Sequence, residues 1–137
     1  MTTGVVDASV AIKWVVDEPG TEQALLLRQH RLVAPDLLIP ECANILWKKV
    51  RRKELSEAEA MLAARLLQRA EIDLEPMRGL LEPATRLAIA LDHPAYDCIY
   101  LALAEALSCA MVTADEQLYR RTLVIEPKVV RLAAIRE

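Results

Sequence analysis

The chain has 137 residues, of which 54% are hydrophobic, with a net charge of −3 and three cysteines. Such a length and apolar share suit one folded domain, residues 1–137, and not a disordered segment, while the acidic balance excludes a module whose whole surface attracts nucleic acid. Three unevenly spaced cysteines form neither a disulfide framework nor a C-x-x-C zinc pattern, no apolar run approaches the ~18 residues of a membrane span, and the N-terminus lacks a basic leader; a reducing cytoplasm, with Cys42 and Cys98 as inert core thiols, is expected.

From the N-terminus, Thr3–Ala8 is a short apolar strand ending at Asp7, and Ser9–Val16 reads as helix. Asp17-Glu18-Pro19-Gly20 is turn chemistry, and Thr21 opens a helix to about Gln29. Leu32–Ala34 is a second strand with Arg31 just outside it, stopped by Pro35-Asp36. A long helical segment runs from Asp36 to Lys53, with Pro40 tolerated near its first turn. Ser56 and Glu59 form a capping box for a helix reaching Ala70, followed by a strand, Glu71–Glu75, with Asp73 in its interior. Leu80–Leu91 is helical, Asp92-His93-Pro94 breaks it, and Ala95–Leu107 resumes as a helix that is apolar nearly all round. CAMVTAD is a strand closed by Asp115, a helix then runs to about Leu123, Pro127 marks a turn, and Val129–Leu132 is the last strand.

Short strands of continuous apolar character alternate with helices, and no hairpin signal such as Asn-Gly occurs. The pattern predicts an α/β protein: an α/β/α sandwich with a central, mostly parallel sheet of about five short strands. In such sheets ligands bind outside the carboxyl ends of the strands. Asp7 and Asp115 fall at two of those ends, Glu41 follows Pro40 at a helix start, and Asp97 sits in the first turn of the apolar helix. Each alone reads equally as an N-cap or a dipole-favoured acid. Together they form a set that a parallel sheet can gather at one edge. Two carboxylates about 4 Å apart repel by roughly 4 kcal/mol at an effective dielectric near 20, and a divalent cation relieves that. All-oxygen donors without clustered His or Cys suit Mg²⁺ or Mn²⁺, ions that activate water and stabilise the leaving oxygen of a phosphodiester.

VVDASV, PECANIL, AYDCIYLALAE and VTAD resemble, in order and spacing, the acidic motifs of PIN-domain proteins, and the size is similar to that of VapC-like toxins of type II toxin–antitoxin systems. The resemblance implies a PIN-like fold and a Mg²⁺- or Mn²⁺-dependent endoribonuclease with Asp7, Glu41, Asp97 and Asp115 as its acidic, metal-holding site. Ser9, Asn44 and Thr113 would be its polar support. It further implies an RNA substrate, a small antitoxin whose tail occupies the groove, and a homodimer. A PIN-like binding or scaffold domain without nuclease activity, or a DNA-directed nuclease, are the alternatives. A haloacid dehalogenase-like phosphatase fits worse, because Asp7-Ala8-Ser9 replaces Asp-x-Asp. So does a receiver domain, because Asp73 is the only acid offered inside the third strand.

Residues 48–53 are basic except at Val50. They read either as cations complementing a helix dipole or as contacts to the RNA backbone, with Lys48, on the face of Glu41, the best candidate and Lys13 a weaker one. Trp14 and Trp47 are expected in the core or an interface. His30 and His93 show no metal-ligand spacing.

Overall fold

In a computed structural model that describes residues 3–123, 125 and 128–136, the apolar runs pair into one five-stranded, wholly parallel sheet. The strands are β1 (Thr3–Val6), β2 (Arg31–Pro35), β3 (Asp73–Glu75), β4 (Ala110–Thr113) and β5 (Val129–Arg131), arranged β3-β2-β1-β4-β5. Helices α1 (Ala8–Ala11), α2 (Thr21–Leu26), α3 (Leu38–Arg51), α4 (Glu57–Gln68), α5 (Leu81–Leu91), α6 (Ala95–Leu107) and α7 (Glu116–Arg121) connect them. Side chains alternate across the sheet. Val5, Val33 and Met111 pack with Leu101 and Leu103 of α6, whereas Val6, Leu32 and Val112 pack with Ala24 and Leu27 on the other face. Both faces are therefore covered, which is why the strands read as unbroken apolar runs. The α/β/α expectation holds, with the sheet entirely rather than mostly parallel.

Helix α6 is the central element. It buries Cys98 and every residue from Tyr100 to Ala104, and it packs on β1, β2 and β4 as well as along α5. Its approach is fixed at Asp92, which ends α5 in the left-handed conformation (φ 50°), while the His93 N–H returns 3.1 Å to the Ala88 carbonyl. These bonds satisfy carbonyls that the end of α5 would leave open. The capping box forms as expected, Ser56 accepting from the Glu59 N–H and Glu59 accepting from the Ser56 N–H.

Several boundaries move. The helix expected over 9–16 is only α1 plus a 3-10 turn, Ile12–Trp14. Thr21 explains the stop: its hydroxyl donates to the Val16 carbonyl and accepts from the Glu18 N–H, committing that stretch to a turn. Arg31 is the first residue of β2, in register with Thr3, and not outside it. Asp73 opens β3 and pairs with Arg31 at 2.9 Å, at the amino end of the sheet. The turn expected at Pro127 lies outside the described residues. Trp47, expected to be in the core or an interface, is 53% exposed with the Arg51 guanidinium over its ring.

Candidate active site

The sheet order reverses its direction of growth between β1 and β4, so the crevice at their carboxyl ends is where a parallel sheet receives a ligand. Both strands end in hydroxyl and carboxylate chemistry there. Asp7 caps α1, one oxygen accepting from the Val10 N–H at 3.3 Å. The Ser9 hydroxyl donates to the same oxygen and accepts from the Ala114 N–H at 3.0 Å. The Thr113 hydroxyl donates to the other oxygen and accepts from the Asp115 N–H at 3.0 Å. Ser9 and Thr113 thus sew the end of β1 to the end of β4. Asp115 itself caps α7, accepting from the Gln117 and Leu118 N–H groups, and is exposed.

Asp97 and Glu41 complete the set from α6 and α3. The Tyr100 hydroxyl, fully buried, donates to Glu41 Oε1 at 2.7 Å. His93 Nε2 lies 2.6 Å from Asp97 Oδ2. Burial pushes the Asp7 carboxyl up; the Ser9, Thr113 and Val10 donors pull it back and the Asp97 charge adds to the rise, leaving it at about 6. Burial also raises Glu41, opposed by Tyr100 and reinforced by Asp97. Asp97 is therefore the charge felt by both neighbours, and the three acids form one electrostatic unit. Asp115 is tied to the site by its backbone N–H, which donates to the Thr113 hydroxyl.

The remaining sequence candidates separate. Asn44 is exposed one turn beyond Glu41, and Lys48 is exposed on the same helix. Lys13 instead donates to Glu18 at 3.0 Å and is 13% exposed, and Lys49 holds the same carboxylate at 2.8 Å. Burial pushes Glu18 up, but these two ammonium groups overcome it and leave the carboxyl below its usual range. Lys13 is thus committed to an internal ion pair. Burial first, then the Glu41 and Asp7 charges, lifts Cys42 to about 12; burial and Asp97 lift Cys98 to about 11, so both stay as inert thiols. Sequence reasoning missed His93 and Tyr100. Neither carried a helical signal: His93 lies ahead of α6, whose cap is Pro94, and Tyr100 meets Glu41, 59 residues away in the chain.

Asp7, Glu41, Asp97 and Asp115 offer oxygen donors only, and the mutual repulsion of the first three is what a divalent cation relieves. Among the described residues, no group of three or more His, Cys, Asp or Glu side chains is placed to hold a metal ion. The all-oxygen donor chemistry is what a magnesium-like ion takes and zinc does not.

A family model described as "PIN domain" matches residues 4–122. Ribonuclease VapC9 of Mycobacterium tuberculosis is 37% identical over 114 residues, 83% of this chain and 87% of that protein. The crystal structure of PAE2754 from Pyrobaculum aerophilum superposes with a TM-score of 0.72 at 22% identity, covering 96% of this chain and 85% of the other. VapBC2 from Rickettsia felis, bound to a DNA fragment from its promoter, gives a TM-score of 0.67 at 9% identity, covering 94% and 98%.

Proposed function

The chain belongs to the PIN-domain family, and from that premise we propose that it is a Mg²⁺- or Mn²⁺-dependent endoribonuclease, the toxin of a toxin–antitoxin pair, acting as one nuclease domain over residues 1–137. The observation that carries the reading is the Asp7 carboxylate, held by Val10, Ser9 and Thr113 at the carboxyl ends of β1 and β4, where the sheet order reverses. Asp97 and Glu41 each commit one oxygen to a neighbouring side chain, His93 or Tyr100, and their second oxygens make no protein hydrogen bond among the described residues. Asp115 likewise uses one oxygen for its cap. A divalent cation held by these groups would supply a positioned water and stabilise the departing oxygen of the phosphodiester. Ser9 and Thr113 hold Asp7 in one orientation while that happens. Asn44 is the outermost polar support.

Lys48 is the proposed RNA-backbone contact. It is about 10 Å along α3 from Glu41, given 1.5 Å per residue, and lines a cleft of about 220 Å³ with Arg51 and Arg52. A role for Lys13 is weaker, since Glu18 already holds it. The antitoxin partner is supported by the likeness in fold to the VapBC2 structure, and a homodimer by the exposed Leu81 and Ile89 on α5. A cytoplasmic site of action is supported by membership of the PIN-domain family.

The test is cleavage of pooled single-stranded RNA and matched DNA in Mn²⁺, with EDTA and Asp97→Asn as controls. RNA cleavage lost in both controls is expected. A folded, partner-free protein that binds no Mn²⁺ and cuts nothing would overturn the reading in favour of a binding module. Equal cutting of DNA would reassign the substrate.

A further inference from the structure

We propose that His93 is a positioning residue for Asp97, its Nε2–H holding one carboxylate oxygen so that the group meets a bound cation in a single orientation. The inference rests on the metal-dependent reading above and adds a residue to it.

Three observations carry it. The ring nitrogen and the carboxylate oxygen are 2.6 Å apart, and the His93 side chain is 9% exposed, so the bond is sheltered from competing water. The other ring nitrogen, Nδ1, is buried without a hydrogen-bond partner. The ring's one polar contact among the described residues is therefore Asp97. Of the two neutral tautomers, only the one protonated at Nε2 makes that contact; the other would set two lone pairs against each other and bury an unpaired N–H. A bare acceptor is the milder orphan.

The third observation is that the backbone beneath the ring is fixed independently of Asp97. Asp92 is left-handed, its carbonyl accepts from Arg121 at 3.0 Å, and the His93 N–H is tied to the Ala88 carbonyl. Pro94 then enters α6 at its restricted φ. The ring closes no helix end, since it bonds a side-chain carboxylate and not a backbone group. Held at one oxygen by the ring, the Asp97 carboxylate keeps its other oxygen open toward a cation. Hydrogen bonds of this kind, one step outside a metal's ligands, set ligand orientation and metal affinity.

The experiment measures Mn²⁺ binding by calorimetry on RNA-free protein, for the parent, His93→Phe, His93→Gln and Asp97→Asn, with thermal midpoints of the metal-free forms. Phenylalanine keeps the ring and removes the donor; the glutamine amide nitrogen falls where Nε2 stood. His93→Phe should weaken Mn²⁺ binding by about 10–100-fold, and His93→Gln should restore most of it. In cleavage assays the Phe loss should fall on the Mn²⁺ concentration required and not on the rate at saturation. Parent-like Mn²⁺ binding by His93→Phe, with binding lost in Asp97→Asn, would overturn the role of His93 while leaving the metal site standing. A parent that binds no Mn²⁺ would overturn the metal reading and this inference with it. Imidazole nitrogen shifts of the unsubstituted protein give a check free of folding effects: a protonated Nε2 and bare Nδ1 are expected, and the opposite tautomer would overturn the assignment.

Discussion

The junctions after β1 and β4 lie side by side and use the same local parts, yet they treat their aspartates differently. Each strand runs into an aspartate that accepts from the backbone of the helix it opens, Asp7 from Val10 and Asp115 from Gln117 and Leu118. Asp7 is 5% exposed and its carboxyl is raised to about 6, whereas Asp115 stands in solvent. The cap determines where a carboxylate sits. What packs above it determines how readily it carries charge. The end of β1 lies in the middle of the sheet, near the Asp97 charge, while β4 is followed by a six-residue helix.

The comparison is tested hardest by Asp7→Asn. The amide keeps an oxygen for Val10 and Ser9 and removes the buried charge. Cleavage should fall on the order of 10²–10³-fold, the scale of losing one preorganised electrostatic group. Stability should move the other way. The folded Asp7 carboxyl binds its proton more tightly than the unfolded one, so the metal-free protein loses stability as pH rises from 3.8 to about 6 and does not regain it above. Over that interval the penalty is about 3 kcal/mol at most, and Glu41 contributes with the same sign. Glu18, whose carboxyl is lowered, contributes with the opposite sign. The difference between parent and Asp7→Asn isolates the one group: in EDTA, the variant should be the more stable above about pH 6 and the advantage should vanish near pH 4. Matching pH profiles would break the contrast between the two junctions.

Thr113→Val sharpens it next. The valine preserves shape but strips a donor from Asp7 and an acceptor from the Asp115 N–H. Urea denaturation should show a loss of about 2 kcal/mol, the cost of leaving buried polar groups unmatched. The loss should shrink when Asp7→Asn is also present, because the two changes share a partner. Asp115→Ala should cost about 1 kcal/mol as a lost cap, with Asp115→Asn nearly neutral and neither altering the pH profile as Asp7→Asn does. The smallest effect belongs to the outlying cation: Lys48→Ala should leave stability within about 0.5 kcal/mol and reduce the salt slope of RNA binding by about 1.

The fold was legible because its signals are local. Helix α6 begins and ends where the apolar run does, at Ala95 and Leu107, bounded by Pro94 and a left-handed Ser108. The Ser56–Glu59 capping box is written in four residues. Asp7, Glu41, Asp97 and Asp115 were legible as types at element junctions, and the resemblance to PIN proteins ordered them. Less visible were the groups that act across the fold. Tyr100 is 59 residues from Glu41, and no local pattern reports that contact. His93 is four residues from Asp97, but Pro94 interrupts the helix between them and hides a spacing that would otherwise stand out. Lys13 looked available until Glu18, across a turn, claimed it.

The strand order also imposes a timetable. Thr113 is 106 residues downstream of the Asp7 it steadies, and β1 cannot gain its β4 neighbour until that stretch has been made. At ribosomal speeds of about 5–20 residues per second, the interval is about 5–20 s. For most of it the acidic set is itself incomplete, since Asp97 is made only shortly before the threonine that orders Asp7. The site is thus assembled late in synthesis, once the segment carrying β4, Thr113 and Asp115 has been made.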